Sequence, residues 1–207
     1  MTEEREYANA VFRWAIKKQL FLLVKFMVKE KRADINAHKD ALSWAVGNDN
    51  LEMVKFLVES GFDINANENT LYWAIRNNNL EIVNFLVARG FNINASKNTL
   101  YWAVYNNNLE MVKFLVENGY DINTNKNTLY QAVDNNNLEI VNFLVARGFN
   151  INASKNTLYW AVYNNNLEMA KFLVGNGVNR EQIEVALDHA RRLNKTEFIE
   201  YLEKVAK

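Results

Sequence analysis

The sequence has no cysteine and no proline, and its 207 residues include only two histidines, His38 and His189. Without cysteine, disulfide bonds and thiolate chemistry are excluded, and two distant histidines make a poor metal site, so we expect neither metal nor cofactor. Lysine plus arginine and aspartate plus glutamate both number 24, which leaves a formal charge of zero. A neutral chain has no electrostatic footprint for nucleic acid or for an anionic membrane, and neither partner is expected.

Long hydrophobic runs are also missing. Hydrophobic residues make up 49% of the chain, which is enough for a core in one or two domains. No run approaches the roughly 20 apolar residues that span a bilayer. The N-terminal segment MTEEREYANA is acidic before it is apolar, unlike a secretory signal. We therefore expect a cytoplasmic protein.

What the sequence has in abundance is repetition. Alanines recur every 29 residues, at Ala45, Ala74, Ala103, Ala132, Ala161 and Ala190, and leucines keep the same register at Leu42, Leu71, Leu100, Leu129, Leu158 and Leu187. Phe12 and Ala15 occupy these positions one repeat earlier. We predict a single domain over residues 1–207, with repeats at about 7–38, 39–68, 69–97, 98–126, 127–155, 156–179 and 180–207, the first and last being caps.

Residues 69–97, NTLYWAIRNNNLEIVNFLVARGFNINASK, indicate how one repeat folds. An asparagine and Thr70 are N-cap residue types before a first helix, which three consecutive asparagines end. Asn79 is predicted to cap a second helix, and Gly90 is predicted to end it, with Phe91 as the apolar partner of a Schellman motif. Helices this short are marginal in water when isolated, so stacking must supply the core.

This repeat resembles an ankyrin repeat. N-T-L-Y-W-A matches the family's T-P-L-H-x-A start, and NLEIVNFLVARGFNINA follows its helix, glycine and Asp/Asn-x-Asn ending, over roughly residues 7 to 207. The resemblance implies an all-α solenoid of seven stacked helix-turn-helix repeats. The family repeat has 33 residues, so four are missing here, between Asn94 and Leu100, where ankyrin repeats form a protruding β-hairpin. We therefore expect little or no β-hairpin.

Such short, asparagine-rich repeats are similar to those in ankyrin proteins of giant viruses and intracellular bacteria. That resemblance would imply interference with host proteins and a location in the host cytoplasm. The family's histidine is replaced by a tyrosine, and the alanine after the glycine by Phe or Tyr, at residues 62, 91, 120 and 149. We expect these bulky rings to fill the space of the missing hairpin base.

All five tryptophans occupy the same position of their repeats. At about 100° per residue, this position lies opposite the apolar side of the first helix, and in the ankyrin family that side lines the concave, partner-binding face. The candidate partner-binding residues are Trp44, Trp73, Arg76, Trp102, Tyr105, Gln131, Asp134, Trp160 and Tyr163. Alternatively the rings cover the shortened loops and one another, and both interpretations stay open.

A comparison within the chain singles out one repeat. Residues 127–155 copy residues 69–97 with three changes, at Gln131, Val133 and Asp134. Two of these lie on the predicted outward side, and one reverses a charge. We hypothesise that Gln131 and Asp134 form a polar slot in an aromatic groove.

No motif of an active site occurs: G-x-S-x-G, Walker A, G-x-G-x-x-G, H-E-x-x-H and the EF-hand loop are all missing. We predict that the protein is not an enzyme but a protein-protein interaction module, acting as an adaptor, inhibitor or effector. Alternatives are an aromatic groove for a small molecule or single-stranded nucleic acid, and a purely structural spacer.

The two end repeats differ from the rest. Leu22 stands where later repeats have Glu52, Glu81 and Glu110. We expect residues 1–8 to fold over this edge of a monomer, and a homodimer through the N-terminal repeat is the alternative. In the C-terminal cap, His189 occupies the tryptophan position and is expected to be a surface or hydrogen-bonded residue.

Overall fold

A computed structural model of the protein describes residues 3–206. The chain forms two compact units, Met1–Thr99 and Leu100–Lys207, called unit 1 and unit 2 below. Within residues 3–206 there are fourteen α-helices and no β-strand. The predicted all-α fold of repeated helix pairs without hairpins is therefore confirmed, while the single domain over residues 1–207 stays a prediction.

Unit 1 contains three helix pairs. They are α1 (Glu3–Lys17) with α2 (Phe21–Lys29), α3 (Ala41–Gly47) with α4 (Leu51–Glu59), and α5 (Thr70–Arg76) with α6 (Leu80–Ala88). Helices α1, α3 and α5 pack side by side as the first helices of their repeats, and α4 packs against α6. This stacking buries the apolar faces that single helices would leave in water.

Unit 2 begins within α7 and repeats the arrangement. Its helices are α7 (Thr99–Tyr105), α8 (Leu109–Glu117), α9 (Thr128–Asp134), α10 (Leu138–Ala146), α11 (Thr157–Tyr163), α12 (Leu167–Gly175), α13 (Arg180–Arg192) and α14 (Thr196–Val205). Helix α11 packs against both α9 and α13, and α8 packs against α10. The longer α13 and α14 form the C-terminal pair.

Helices α1 to α13 each end in a Schellman motif, as the α5–α6 pair illustrates. Asn78 has a φ of 58° after α5, and the amide of Asn79 donates to the carbonyl of Ala74 at 2.9 Å. After α6, Gly90 has a φ of 92° and the amide of Phe91 donates to the carbonyl of Leu86 at 3.0 Å. Asparagine and glycine tolerate this left-handed conformation, and the predicted stops are confirmed.

The helix starts follow the prediction only in part. The Oδ1 of Asn79 accepts from the amide of Ile82 at 2.8 Å, so this asparagine caps α6 as expected. Asn69 makes no such bond at the start of α5. Instead, the Thr70 hydroxyl donates to the carbonyl of Asn67 at 2.8 Å. Asn69 therefore occupies the N-cap position of α5, but its side chain does not cap the helix.

Asparagine side chains also connect consecutive repeats. In unit 1, Asn77 Nδ2 donates to the carbonyl of Gly47 at 3.0 Å. In unit 2, Asn135 Nδ2 reaches the carbonyl of Val104 at 2.6 Å, and Asn164 Nδ2 that of Asp134 at 2.9 Å. The last carbonyls of a helix have no partner within it, so each asparagine satisfies the end of the previous first helix. This gives the asparagine bias a structural role.

Tight turns replace the hairpins. The Asn65 amide donates to Asp63 Oδ1 at 3.0 Å, which closes an Asx-turn. Asn65 Oδ1 accepts from the Asn92 amide at 2.8 Å, and Asn65 Nδ2 donates to the Gly90 carbonyl at 3.2 Å. One asparagine thus fixes the loop of its own repeat against the next. The rings after the glycines, at residues 62, 91, 120 and 149, are only 4–5% exposed, in agreement with their expected space-filling role.

The N-terminal edge is open. Residues 3–8 belong to α1 and do not fold over it, so this expectation is wrong for them, while residues 1 and 2 lie outside the described part of the chain. Tyr7 is 74% exposed and Leu22 is 82% exposed. The end of the stack therefore keeps an apolar surface.

Candidate functional site

The candidate residues occupy two positions of the first helices. The tryptophan position comprises residues 14, 44 and 73 in unit 1 and residues 102, 131, 160 and 189 in unit 2. The outer position lies three residues later and comprises residues 17, 47 and 76 in unit 1, and Tyr105, Asp134 and Tyr163 on α7, α9 and α11 of unit 2. Residues three apart on a helix are surface neighbours, so each helix presents one pair.

In unit 1, basic side chains cover Trp44 and Trp73, whereas Trp14 is 51% exposed. Lys17 Nζ lies 4.4 Å from the ring centroid of Trp44, and the guanidinium of Arg13 lies 5.5 Å from it. The guanidinium of Arg76 lies 5.5 Å from the Trp73 ring. A cation within about 6 Å of a ring centroid is attracted to the π-face. We call this surface of α1, α3 and α5 the cation-covered face.

In unit 2, tyrosines take the place of these cations. Tyr105 lies against Trp102 with ring centroids 5.4 Å apart, and Tyr163 lies against Trp160 at 5.3 Å, both edge to face. The two tyrosines are 54% and 55% exposed, whereas the two tryptophans are half-buried. We call this surface of α7, α9 and α11 the aromatic face. Its tryptophans serve in part as a cover, while its tyrosines stand open to solvent.

Gln131 lies beneath this surface. It is only 7% exposed, so the prediction that its side chain points outward is wrong. Its Oε1 accepts from the Tyr101 hydroxyl at 3.1 Å, and its Nε2 donates to Asn135 Oδ1 at 3.0 Å. The amide is smaller than the indole of the other repeats and is drawn inward by these two partners.

The Tyr101 hydroxyl is held in its protonated form. Burial raises the pKa of Tyr101, and the neighbouring Tyr130, Tyr105 and Asp134 raise this pKa further. A protonated hydroxyl remains a donor to Gln131. The hydrogen bond beneath the aromatic face is therefore preserved at neutral and mildly alkaline pH.

Asp134 is the charged group of the aromatic face. It is the one ionisable residue with a formal charge at neutral pH in the sequences of α7, α9 and α11. Gln131 Nε2 lies 3.5 Å from its Oδ2, at the limit of a hydrogen bond. Within residues 3–206 it forms no ion pair. The carboxylate is half-buried and has no counter-ion.

His189 extends the aromatic face at its C-terminal end. Its ring centroid lies 4.2 Å from that of Tyr159 and 6.2 Å from that of Tyr163. Burial lowers the pKa of His189, and Lys195 and Arg192 lower it further. Its Nε2 is buried and has no hydrogen-bond partner in the part of the chain that the structure describes. The histidine therefore acts as one more ring of the row.

The structure divides the nine predicted residues between the units. Trp44, Trp73 and Arg76 belong to the cation-covered face, and Trp102, Tyr105, Gln131, Asp134, Trp160 and Tyr163 belong to the aromatic face.

Sequence reasoning missed several neighbours of these residues. Tyr101 and Asn135 hold Gln131, and Tyr130 stacks on Trp160 with ring centroids 6.3 Å apart. The asparagine recurs in every internal repeat, and the tyrosine in all of them but 39–68, which has Ser43 there; this recurrence made them look purely structural. Lys17 aligns with the outer position of the later repeats, and this alignment is the signal that could have identified it.

Metal-binding groups were sought across the described residues. Among residues 3–206, no three His, Cys, Asp or Glu side chains lie close enough together to hold a metal ion. None of the described helices has the length and apolar character to cross a membrane.

The family model for ankyrin repeats, which describes three copies, matches the chain in five overlapping stretches: residues 12–97, 42–126, 71–155, 100–185 and 129–205. No curated protein matches the chain significantly. Ankyrin repeats are in general protein-protein interaction modules. Because the matches extend from residue 12 to residue 205, and the helix pairs repeat in the same register, the chain belongs to the ankyrin repeat family.

Proposed function

We propose that this protein binds another protein through the aromatic face of unit 2. The observation that carries the proposal is the pair of half-exposed tyrosines, Tyr105 and Tyr163, at the positions that precede and follow Asp134 in the repeat series. Tyrosine and tryptophan are enriched among residues that dominate binding energy at protein interfaces. The role is that of an adaptor, inhibitor or effector in the cytoplasm, with no catalytic function and no cofactor.

The rings of Tyr105 and Tyr163 are also preorganised for binding. Each tyrosine lies on a seven-residue helix and packs edge to face against the tryptophan of the same helix. A side chain that is already held in place loses less entropy when a partner covers it. The aromatic face therefore provides contact area at a low entropic cost.

Single-stranded nucleic acid fits this face less well. Helices α7, α9 and α11 carry no lysine or arginine, and their one charge is the carboxylate of Asp134. Grooves that bind single strands without sequence preference are basic, because they follow the phosphate backbone. Tryptophan fluorescence is therefore expected to stay unchanged when an oligonucleotide is added at low salt.

The test of the proposal is a capture experiment with the double variant Tyr105→Ala/Tyr163→Ala. Wild type and variant are used to capture proteins from the native cell, which are identified by mass spectrometry. Because both rings are half-exposed, the variant keeps its fold, which circular dichroism checks. Each ring is expected to contribute about 1–2 kcal/mol to binding, so the partner of the wild type is lost from the variant.

The matched control is Glu110→Ala, which removes an exposed side chain from the second helix α8. It is expected to capture the same proteins as the wild type. If the double variant captured them equally well, the aromatic face would not be the binding surface. If the wild type captured nothing that a blank column did not, the spacer alternative would be favoured.

For the oligomeric state we propose a monomer. The N-terminal edge nevertheless has a groove of about 780 Å³ between α1 and α2, lined in part by Tyr7, Val11 and Phe26. Light scattering at high concentration is expected to give the mass of one chain. A mass of two chains that returned to one in Leu22→Glu, which copies Glu52 of the next repeat, would assign this edge to a homodimer.

A further inference from the structure

The outer position of the first helices shows which charge is missing from unit 2. In unit 1, Lys17 and Arg76 cover the rings of Trp44 and Trp73, and both cations occupy the outer position of a first helix. In unit 2 the outer position of α7, α9 and α11 holds Tyr105, Asp134 and Tyr163. Tyrosines cover the tryptophans there, and on these helices the position carries a carboxylate but no cation.

Asp134 and the tyrosines of the two neighbouring first helices, Tyr105 and Tyr163, form a candidate site for such a cation, called the slot below. Packed helices lie about 8–10 Å apart, so Tyr105 on α7 and Tyr163 on α11 each stand about one helix spacing from Asp134, on opposite sides of α9. The two rings are therefore too far apart to stack on each other, and one planar group cannot touch both. A basic side chain whose charged head reaches Asp134 can lay its apolar stem along one of the two rings.

The base of the slot is already organised. Gln131 is buried and held by Tyr101 and Asn135, and its Nε2 lies 3.5 Å from the carboxylate of Asp134. The remaining acceptor positions of the carboxylate have no donor within residues 3–206. A half-buried carboxylate gains most from a donor that is itself charged.

We propose that the slot formed by Tyr105, Asp134 and Tyr163 binds an arginine or lysine side chain of the partner protein. The proposal rests on the function proposed above and names the chemistry that the aromatic face recognises. The carboxylate accepts hydrogen bonds from the cation, and one of the two tyrosine rings contacts its flat or methylene surface. Arginine fits better than lysine, because its planar guanidinium can donate two hydrogen bonds to one carboxylate and stack on a ring.

A phage-displayed library of random peptides provides the probe. It is selected on the wild type and, separately, on Asp134→Arg, which installs the residue that the parent repeat has at position 76. Arg76 shows that a first helix accommodates arginine at this position. Peptides selected on the wild type are expected to share a basic residue at one position, and those selected on Asp134→Arg to lack it.

The selected peptides are then measured by calorimetry. Replacing the shared arginine with glutamine is expected to weaken binding to the wild type at least 10-fold, and Asp134→Asn to weaken binding of the original peptide by a similar factor. Arg76→Asp, the reciprocal change in unit 1, is the matched control and is expected to leave the affinity unchanged. Higher salt should weaken the wild-type complex more than the complex of Asp134→Asn.

Failure of the cation slot and failure of the proposed function give different experimental results. If the selected peptides bind in a way that Tyr105→Ala/Tyr163→Ala abolishes, but carry no basic residue and ignore Asp134→Asn, the aromatic face binds proteins and the cation slot is wrong. If no selected peptide responds to Tyr105→Ala/Tyr163→Ala, the function proposed for this face is wrong as well, and the slot is wrong with it.

Discussion

The cation-covered face of unit 1 and the aromatic face of unit 2 are built on the same frame. Helices α5 and α9 each have seven residues, start with the same three residues and end in the same asparagine stop. What differs is the pair at the tryptophan and outer positions, which is Trp73 and Arg76 in α5 but Gln131 and Asp134 in α9. Exchanging two side chains thus replaces a ring covered by a cation with a carboxylate that has no ion pair, while the helix stays the same.

The three changes between residues 69–97 and 127–155 have different consequences. Ile75 and Val133 are both fully buried, so this exchange removes one methylene from the core and leaves the surface alone. The other two exchanges remove the cation–π pair of Trp73 and Arg76 and create a buried amide beside an unpaired carboxylate. The repeated positions maintain the fold, and recognition can change at the remaining ones.

The largest effect that separates the two units is expected at their buried threonines. Thr70 in unit 1 donates to the Asn67 carbonyl and bonds to Ser43 Oγ at 2.9 Å, whereas the buried Thr128 hydroxyl in unit 2 has no hydrogen-bond partner among residues 3–206. Thr70→Val is expected to lower the free energy of unfolding by about 1–3 kcal/mol, because it leaves buried polar groups unpaired. Thr128→Val is expected to be neutral or stabilising, because it replaces an unpaired hydroxyl with a methyl group.

Urea unfolding of the two valine variants measures both values. Equal destabilisation by the two substitutions would mean that the Thr128 hydroxyl finds a partner in solution, such as a bound water. The interiors of the two units would then be alike, and their difference would be confined to the surface.

A smaller effect is expected at the outer position of unit 1. Gly47 is the last residue of α3, and a β-carbon there would lie 3.7 Å from the Trp73 ring, an ordinary contact. Gly47→Ala is therefore expected to raise the free energy of unfolding by about 0.5–1 kcal/mol, because glycine loses more backbone entropy in a helix than alanine does. Thermal unfolding measures the change.

The control for this prediction is Gly61→Ala, in which the glycine has a φ of 92°. Alanine is strained in that conformation, so the control is expected to be destabilised by about 1–2 kcal/mol. A loss of stability in Gly47→Ala would show that the Trp73 ring cannot accept the added methyl group. The packing of the cation-covered face would then be tighter than the geometry indicates.

The sequence predicted most of the fold because one repeat reports on all the others. The asparagine and glycine stops, the Asn79 cap and the loss of the hairpins follow from local backbone preferences, which can be inferred from the sequence of one repeat. The failure at Gln131 concerns a contact between repeats, because its side chain turns inward toward Tyr101 of the preceding repeat. The missing side-chain bond of Asn69 is a local detail, since the Thr70 hydroxyl bonds three residues back to the Asn67 carbonyl.

The candidate site was harder to predict than the fold. A helical wheel places Trp73 and Gln131 at the same angle, but the burial of each side chain depends on its size and on nearby hydrogen-bond partners. Lys17 covers Trp44 from an irregular first repeat, where the 29-residue register changes by one. Periodicity identifies such a position once this one-residue change of register is taken into account.

The smallest expected effect is a pH dependence at the C-terminal end of the aromatic face. Burial, with Lys195 and Arg192, lowers the pKa of His189 in the folded protein, whereas the unfolded chain has the ordinary value of about 6.5. As the pH falls through about 6.5, the unfolded chain takes up a proton that the folded protein resists, so stability declines until the lower folded pKa is reached. His189→Phe keeps a ring beside Tyr159 and removes this titration. When the pH is lowered from 7.5 to 5.5, the melting temperature of His189→Phe should fall less than that of the wild type. An equal fall in both proteins would show that His189 titrates as freely in the folded state as in the unfolded chain.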